Sequence, residues 1–228
     1  MDAKKRNIII GAAIGAVVLV LGVVACLGIF RGFNPKGYVE AILNQTFKGK
    51  VNAAVQMIEG ATEKQLKAQY EAGVTSFVKN TIAGGVEMDA ELEEMYVTLC
   101  KKIFDDMKYK VKGYQTVDGG YEVTVEYQTA DVLQKYVASA ESETQRINEK
   151  VENGDYRGTL EEINTQMKKD FLSASYTILE KAYKNMEYGE KQTVVLTVQK
   201  GTGDLYELSG EEITQFIKKI MGLDAIQD

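Results

Sequence analysis

Between Ile8 and Phe30 the chain reads IIIGAAIGAVVLVLGVVACLGIF, 23 residues without a charged side chain. A helix of that length spans about 35 Å, enough to cross a bilayer core of roughly 30 Å. Hydrocarbon offers the backbone no hydrogen-bonding partner, so a helix is the conformation such a stretch can adopt there. Lys4, Lys5 and Arg6 precede the stretch, and Arg31 and Lys36 follow it. The basic cluster at the start predicts a cytoplasmic N-terminus and a single pass through the cell membrane, with the rest of the chain outside. The lipid bilayer is therefore the first expected partner. The division expected is a cytoplasmic tip, anchor and short spacer over 1–33, and an extracytoplasmic domain over 34–228.

Two other readings of the same stretch stay open. A cleaved secretory signal has an apolar region of about 7–15 residues, shorter than this one. Val23-Val24-Ala25-Cys26 resembles the lipobox of bacterial lipoprotein signal peptides, which implies cleavage before Cys26 and acylation of its sulfur. Each of the two tethering readings leaves the same body held at the outer face.

The charge of that body argues against a nucleic-acid partner. Residues 35–228 hold 23 Lys or Arg against 32 Asp or Glu, a net charge of −9, whereas nucleic acid demands a basic face. The chain contains no His, which removes His general bases, Ser–His and Cys–His pairs and the commonest metal ligand. Cys100 is the one cysteine of the body, so an internal disulfide is excluded.

Hydrophobic spacing predicts a series of helices, each opened by a local signal. Asn34 caps a helix that starts with Pro35, buries Tyr38, Val39, Ile42, Leu43 and Phe47, and ends at Gly49. A short helix follows from Val51 to Ile58. Thr62 and Gln65 form a capping box ahead of Leu66, Tyr70, Val74, Phe77 and Val78. Asp89 opens the next helix, with Leu92, Met95, Tyr96, Leu99, Ile103 and Met107 expected inside. Asp131 begins a helix carried by Leu133, Tyr136, Val137, Ala140 and Ile147. Thr159 and Glu162 box another, carried by Ile163, Met167, Phe171, Ala174, Ile178 and Ala182. Ser209 opens the last, with Ile213, Phe216, Ile217 and Ile220.

The period changes to two over Lys108 to Val117, Tyr121 to Thr129, Thr193 to Lys200 and Leu205 to Leu208. Apolar residues are odd-numbered on the first two strands, so facing residues should sum to an even number. That parity predicts a three-residue loop, Asp118-Gly119-Gly120, with Val117 opposite Tyr121 and Lys112 opposite Glu126. It likewise predicts a Gly201-Thr202-Gly203 loop with Val198 opposite Tyr206. Lone hairpins are marginal, so the expected fold is α+β, with helices packed on one four-stranded antiparallel sheet made of the two hairpins.

No constellation spells out catalysis. The acidic run Glu87, Asp89, Glu91, Glu93 and Glu94 suits a helix start better than a calcium loop. Asp105 and Asp106 are adjacent on a helix and diverge, unlike a glycosidase pair. Lys108, Lys110 and Lys112 read as a solvated ladder opposite Glu122 and Glu126. No catalytic, cofactor-binding or metal-ligating set is expected. Cys100 reads as a buried structural thiol. The 13 tyrosines and absent Trp are the unusual feature, and Tyr121, Tyr127 and Tyr206 are the candidates to line a ligand groove.

Asn34 to Leu43, Thr46 to Lys50, Gly60 to Gln65, Val194 to Val198, Gly203 to Tyr206 and Met221 to Leu223 together resemble an uncharacterised domain of Gram-positive surface lipoproteins. The arrangement is similar to the nuclear-transport-factor-two or cystatin-like class. The resemblance implies a surface domain and carries over no catalytic residues. The function expected is a membrane-tethered, non-enzymatic binding or interaction domain, its partner an unknown protein or cell-envelope ligand. The alternatives are a cell-envelope hydrolase using carboxylates alone, and an accessory subunit of a transport or secretion complex.

Overall fold

The computed structural model describes residues 33–58, 60–201 and 205–226. The apolar stretch 8–30 and Cys26 lie outside them. Among the described residues no helix is long and apolar enough to cross a membrane.

Seven α-helices accompany four strands in these residues. Helix α1 (Pro35–Lys48) starts where Asn34 Oδ1 accepts the Gly37 amide at 3.1 Å and ends at Gly49 with φ 59°. Helix α2 (Asn52–Met57) is a short turn. Helix α3 (Glu63–Phe77) carries the Thr62–Gln65 capping box and runs on into a π-helical turn, Val78–Ile82, that no local sequence signal announced. Helix α4 (Ala90–Asp105) is capped by Asp89, whose Oδ1 accepts the Leu92 amide at 2.9 Å. The hairpin β1 (Tyr109–Val117) and β2 (Gly120–Ala130) follows. Helices α5 (Val132–Asn153) and α6 (Leu160–Lys184) come next, α6 opened by the Thr159–Glu162 box. Strands β3 (Tyr188–Lys200) and β4 (Tyr206–Leu208) lead to α7 (Gly210–Ile220), capped by Ser209.

Both hairpins share one antiparallel sheet in the order β1-β2-β3-β4. Its inner face is Val111, Val123, Val125, Tyr127, Leu196, Val198 and Leu208, all buried. Phe216 of α7 meets Tyr127 edge-on at 5.4 Å and Phe47 of α1 at 6.2 Å, which locks both helices to this face. The outer face, with Glu122, Thr124 and Glu126, carries polar side chains and a half-exposed Val195. A second, smaller core of Ala83, Ile147, Met167, Phe171 and Leu172 sits between the distal halves of α5 and α6 and the loop after the π turn.

The register differs from the sequence expectation in an informative way. The β1–β2 turn has two residues, Asp118 and Gly119, with Val117 opposite Gly120 and Thr116 opposite Tyr121. Gly119 takes the left-handed conformation at φ 77°. Gly120 belongs to the ladder, and a Cβ there would fall 2.1 Å from the Val198 carbonyl oxygen. The parity requirement is met elsewhere. A bulge between Val111 and Gly113 leaves Lys112 over, so that Tyr109 faces Tyr127 and Lys110 faces Glu126. Lys112 still reaches Glu126, Nζ to Oε2 at 3.1 Å.

Further corrections concern ends and faces. Val198 pairs with Leu208 rather than Tyr206, because the 201–205 connection is longer than three residues and closes with the Gly201 amide donating to the Leu205 carbonyl at 2.8 Å. Strand β3 begins at Tyr188, earlier than Thr193, since Gln128 and Ala130 extend the ladder with Lys191 and Tyr188. Met95 is 41% exposed rather than inside. On α6 the buried face turns to Leu172, Ser175 and Leu179 in place of Ala174 and Ile178, because its two halves enter different cores. Asp131 does not cap α5 with its side chain. Its Oδ1 accepts the Glu187 amide at 2.8 Å, tying the start of α5 to the start of β3.

Candidate functional site

A cleft of about 440 Å³ opens where α4 hands over to β1. Its walls are Asp105 to Lys110 from that junction, Glu126 to Gln128 from β2, Lys48 from the end of α1 and Lys191 from β3. The volume is of the order expected for a small-molecule site, but the lining is charged rather than apolar. Lys48, Lys108, Lys110 and Lys191 stand against Asp105, Asp106 and Glu126. A net positive hollow on an acidic body favours an anionic guest.

The contacts of each group decide which of them is available. Lys48 Nζ donates to the Asp105 carbonyl at 3.1 Å and sits 5.8 Å from the Tyr109 ring centre. Lys108 Nζ lies over the Tyr188 ring at 3.5 Å, a cation–π contact. Lys191 pairs with Glu126 at 3.4 Å. Glu126 therefore faces two ammonium groups, and the Lys112 hydrogen bond, with Lys191 adding to it, holds its carboxyl below the usual range. Among the described residues Lys110 has no carboxylate partner, and Lys108 has only the ring.

Tyrosine hydroxyls fix the frame. Tyr109 donates to Asn44 Oδ1 at 3.0 Å, Tyr127 to Gln192 Oε1 at 3.1 Å and Tyr188 to the Asp106 carbonyl at 2.9 Å. Tyr183 donates to Asp106 Oδ2 at 2.6 Å, and that bond, with burial, pushes its phenol up to about 12. These phenols remain neutral donors at physiological pH.

The three tyrosines singled out from the sequence do not form one groove. Tyr127 lines the cleft. Tyr121 and Tyr206 lie at the other end of the sheet, ring centres 5.3 Å apart. Tyr121 and Tyr127 are six positions apart on β2, about 20 Å along the strand. Tyr121 is joined by Tyr114 at 5.7 Å, and Tyr206 stacks on Phe33 at 4.2 Å. The neighbouring Tyr206 phenol raises the Tyr121 phenol above its ordinary value.

Cys100 is fully buried, and burial pushes its thiol up to about 12. Among the described residues no group of three Cys, Asp or Glu is placed to hold a metal ion. The acidic run at the start of α4 does what a helix start asks of it, with Asp89 capping and Glu93 paired to Lys79 at 3.1 Å. In the sequence Lys108 and Lys110 read as part of a solvated ladder and Asp105 and Asp106 as a diverging pair, and Lys48 and Lys191 have no role, so the cleft they line together is missed there. The available signal was the run Asp105-Asp106-Met107-Lys108-Tyr109-Lys110, charges of both signs around an aromatic at a helix-to-strand junction.

No family model matches the chain, and no curated protein matches it. Among solved structures, a candidate lipoprotein, ycdA from Bacillus subtilis strain 168, is similar with a TM-score of 0.46 and 16% identity. The alignment covers 81% of this chain and 55% of that one, so the chain spans about half the length of that protein.

Proposed function

We propose that the chain is a membrane-tethered extracytoplasmic binding domain that performs no chemistry, with residues 1–33 as tether and 34–228 as body. Its cleft takes a small ligand carrying carboxylate or phosphate groups. The observation that carries this reading is the convergence of Lys48, Lys108, Lys110 and Lys191 around Tyr109 and Tyr127 in one hollow. The finer placement in the nuclear-transport-factor-two or cystatin-like class belongs to the same proposal, supported by helices packed on one face of an antiparallel sheet.

The absence of His and the burial of Cys100 support a non-enzymatic role. A carboxylate hydrolase would need one of Asp105, Asp106 or Glu126 as a proton donor near neutral pH. Glu126 is held ionised by two lysines, the opposite of what a general acid requires.

Calorimetric titration of the full chain with citrate and with inorganic phosphate tests the cleft. Lys110→Glu removes one cation and adds an anion, so it should weaken binding about tenfold or more, given about 1.5–3 kcal/mol for a charge-assisted contact. Equal heats for wild type and variant would sink the ligand assignment. A membrane-impermeant amine reagent applied to intact cells tests the address, and should label Lys108 and Lys191. A chain left unlabelled until lysis is not exposed outside.

A further inference from the structure

The aromatic end of the sheet lies where the apolar stretch delivers the chain. Phe33 stacks on Tyr206 and approaches Tyr38 at 5.5 Å and Tyr121 at 5.8 Å. Tyr114 forms the outer edge of the group and is 51% exposed. Its position there is a consequence of the Lys112 bulge, which switches β1 parity and brings Tyr114 beside Tyr121. The chain has no slack beyond this point, since Phe33 is packed and Asn34 caps α1.

Phe33 is three residues beyond Phe30, the last residue of the apolar stretch. At about 3.6 Å per residue the two Cα atoms are at most about 11 Å apart. A 23-residue helix already exceeds the hydrocarbon thickness by about 5 Å. We infer that the end of the domain formed by Phe33, Tyr114, Tyr121 and Tyr206 is seated in the headgroup layer of the bilayer that holds the tether. This rests on the tether reading above.

Tyrosine suits that layer because its ring takes apolar surroundings while its hydroxyl keeps polar partners. The short link argues for phospholipid as the occupant, because another protein would have to enter a gap of a few ångströms. One consequence is orientation. The cleft around Tyr127, about 20 Å further along β2, is held away from the lipid and opens outward.

The chain contains no Trp, so a single introduced Trp reports without background. The experiment uses the full chain in phosphatidylcholine vesicles whose acyl chains are brominated close to the headgroup. Tyr114→Trp is compared with Glu190→Trp. Glu190 is exposed on β3, eight residues from the Val198 that faces Tyr121. Seating predicts at least about a twofold loss of Tyr114→Trp emission in brominated over plain lipid, with shielding from aqueous iodide. Glu190→Trp should show neither. Tyr114→Trp open to iodide in a vesicle-bound chain would overturn the seating alone. Shielding from iodide without bromine quenching would mean that a second copy covers the face, and would overturn it too. A full chain that fails to float with the vesicles overturns the tether reading and this inference together.

Discussion

Tyr96 and Cys100 are one helical turn apart on α4 and both fully buried, yet they do different work. The Tyr96 hydroxyl donates to the Leu172 carbonyl of α6 at 2.7 Å, and burial raises its phenol far above the usual value. Tyr96→Phe should lower the unfolding free energy by about 1–2 kcal/mol, read as a shift in urea midpoint at unchanged slope. Tyr183→Phe removes a hydroxyl that bonds the exposed Asp106, and should cost less than half as much. Cys100 donates to nothing described and acts by filling space. With its thiol pushed up to about 12, only about one molecule in ten thousand is thiolate at pH 8. In a Cys26→Ser background, Ellman's reagent should therefore find no reactive thiol until denaturant is added. Rapid labelling of the folded chain would mean that the helix α4 face opens on its own. Gly120 is the third residue at which one atom decides the outcome. Gly120→Ala forces a Cβ onto the Val198 carbonyl, so it should cost several times what an ordinary exposed strand Gly→Ala would.

Helices and strands were legible to different degrees, for a physical reason. A cap is a bargain between residues three apart, so Asn34, Thr62, Asp89, Thr159 and Ser209 could each be read from their own neighbourhood. Sheet register is a compromise between distant residues. The even sum demanded by Tyr109 and Tyr127 was readable, but whether the turn or the strand absorbs the odd residue depends on Gly120 pressing against β3. The cleft was illegible on the same ground, since its walls come from Lys48, the 105–110 junction, Glu126 to Gln128 and Lys191. The bulge makes a prediction of its own. Deleting Lys112 leaves a regular ladder with Tyr109, Val111 and Tyr114 on their present face, so the variant should fold and keep Tyr114–Tyr121 ring contacts in nuclear Overhauser spectra. The α5–α6 hairpin has a pH-sensitive fastening at its far end. Asp170 accepts from Lys150 Nζ and from the Tyr156 hydroxyl, each at 2.7 Å, beside the Arg146–Glu143 pair. Hydrogen bonding from Lys150 lowers the Asp170 carboxyl below its ordinary value. A carboxyl lowered on folding stabilises above its unfolded value of about 3.9, and that contribution is lost as pH falls through the lowered value. Amide exchange near residues 147–156 should rise first on acidification below about pH 4, and Asp170→Asn should already show the rise at neutral pH.

The two ends of the sheet divide the labour of the whole molecule, and the charge of the body sets how they respond to their surroundings. Residues 35–228 carry −9. At about 150 mM salt the screening length is about 8 Å, so the bilayer senses little of the body beyond the end nearest it. At about 10 mM it is about 30 Å, most of the length of β2, so an anionic surface then meets much more of the acidic body. Seating by aromatic burial therefore has a salt dependence opposite to that of a basic peripheral protein. In vesicles containing about 30% anionic lipid, bromine quenching of Tyr114→Trp should be weaker at about 10 mM salt than at about 150 mM. In phosphatidylcholine alone it should not change. Quenching that instead strengthens with anionic lipid at low salt would show that Arg31 and Lys36 dominate the contact. The orientation would then be set by cation–lipid attraction, and the outward aim of the cleft would have to be re-argued from those two residues rather than from the tyrosines.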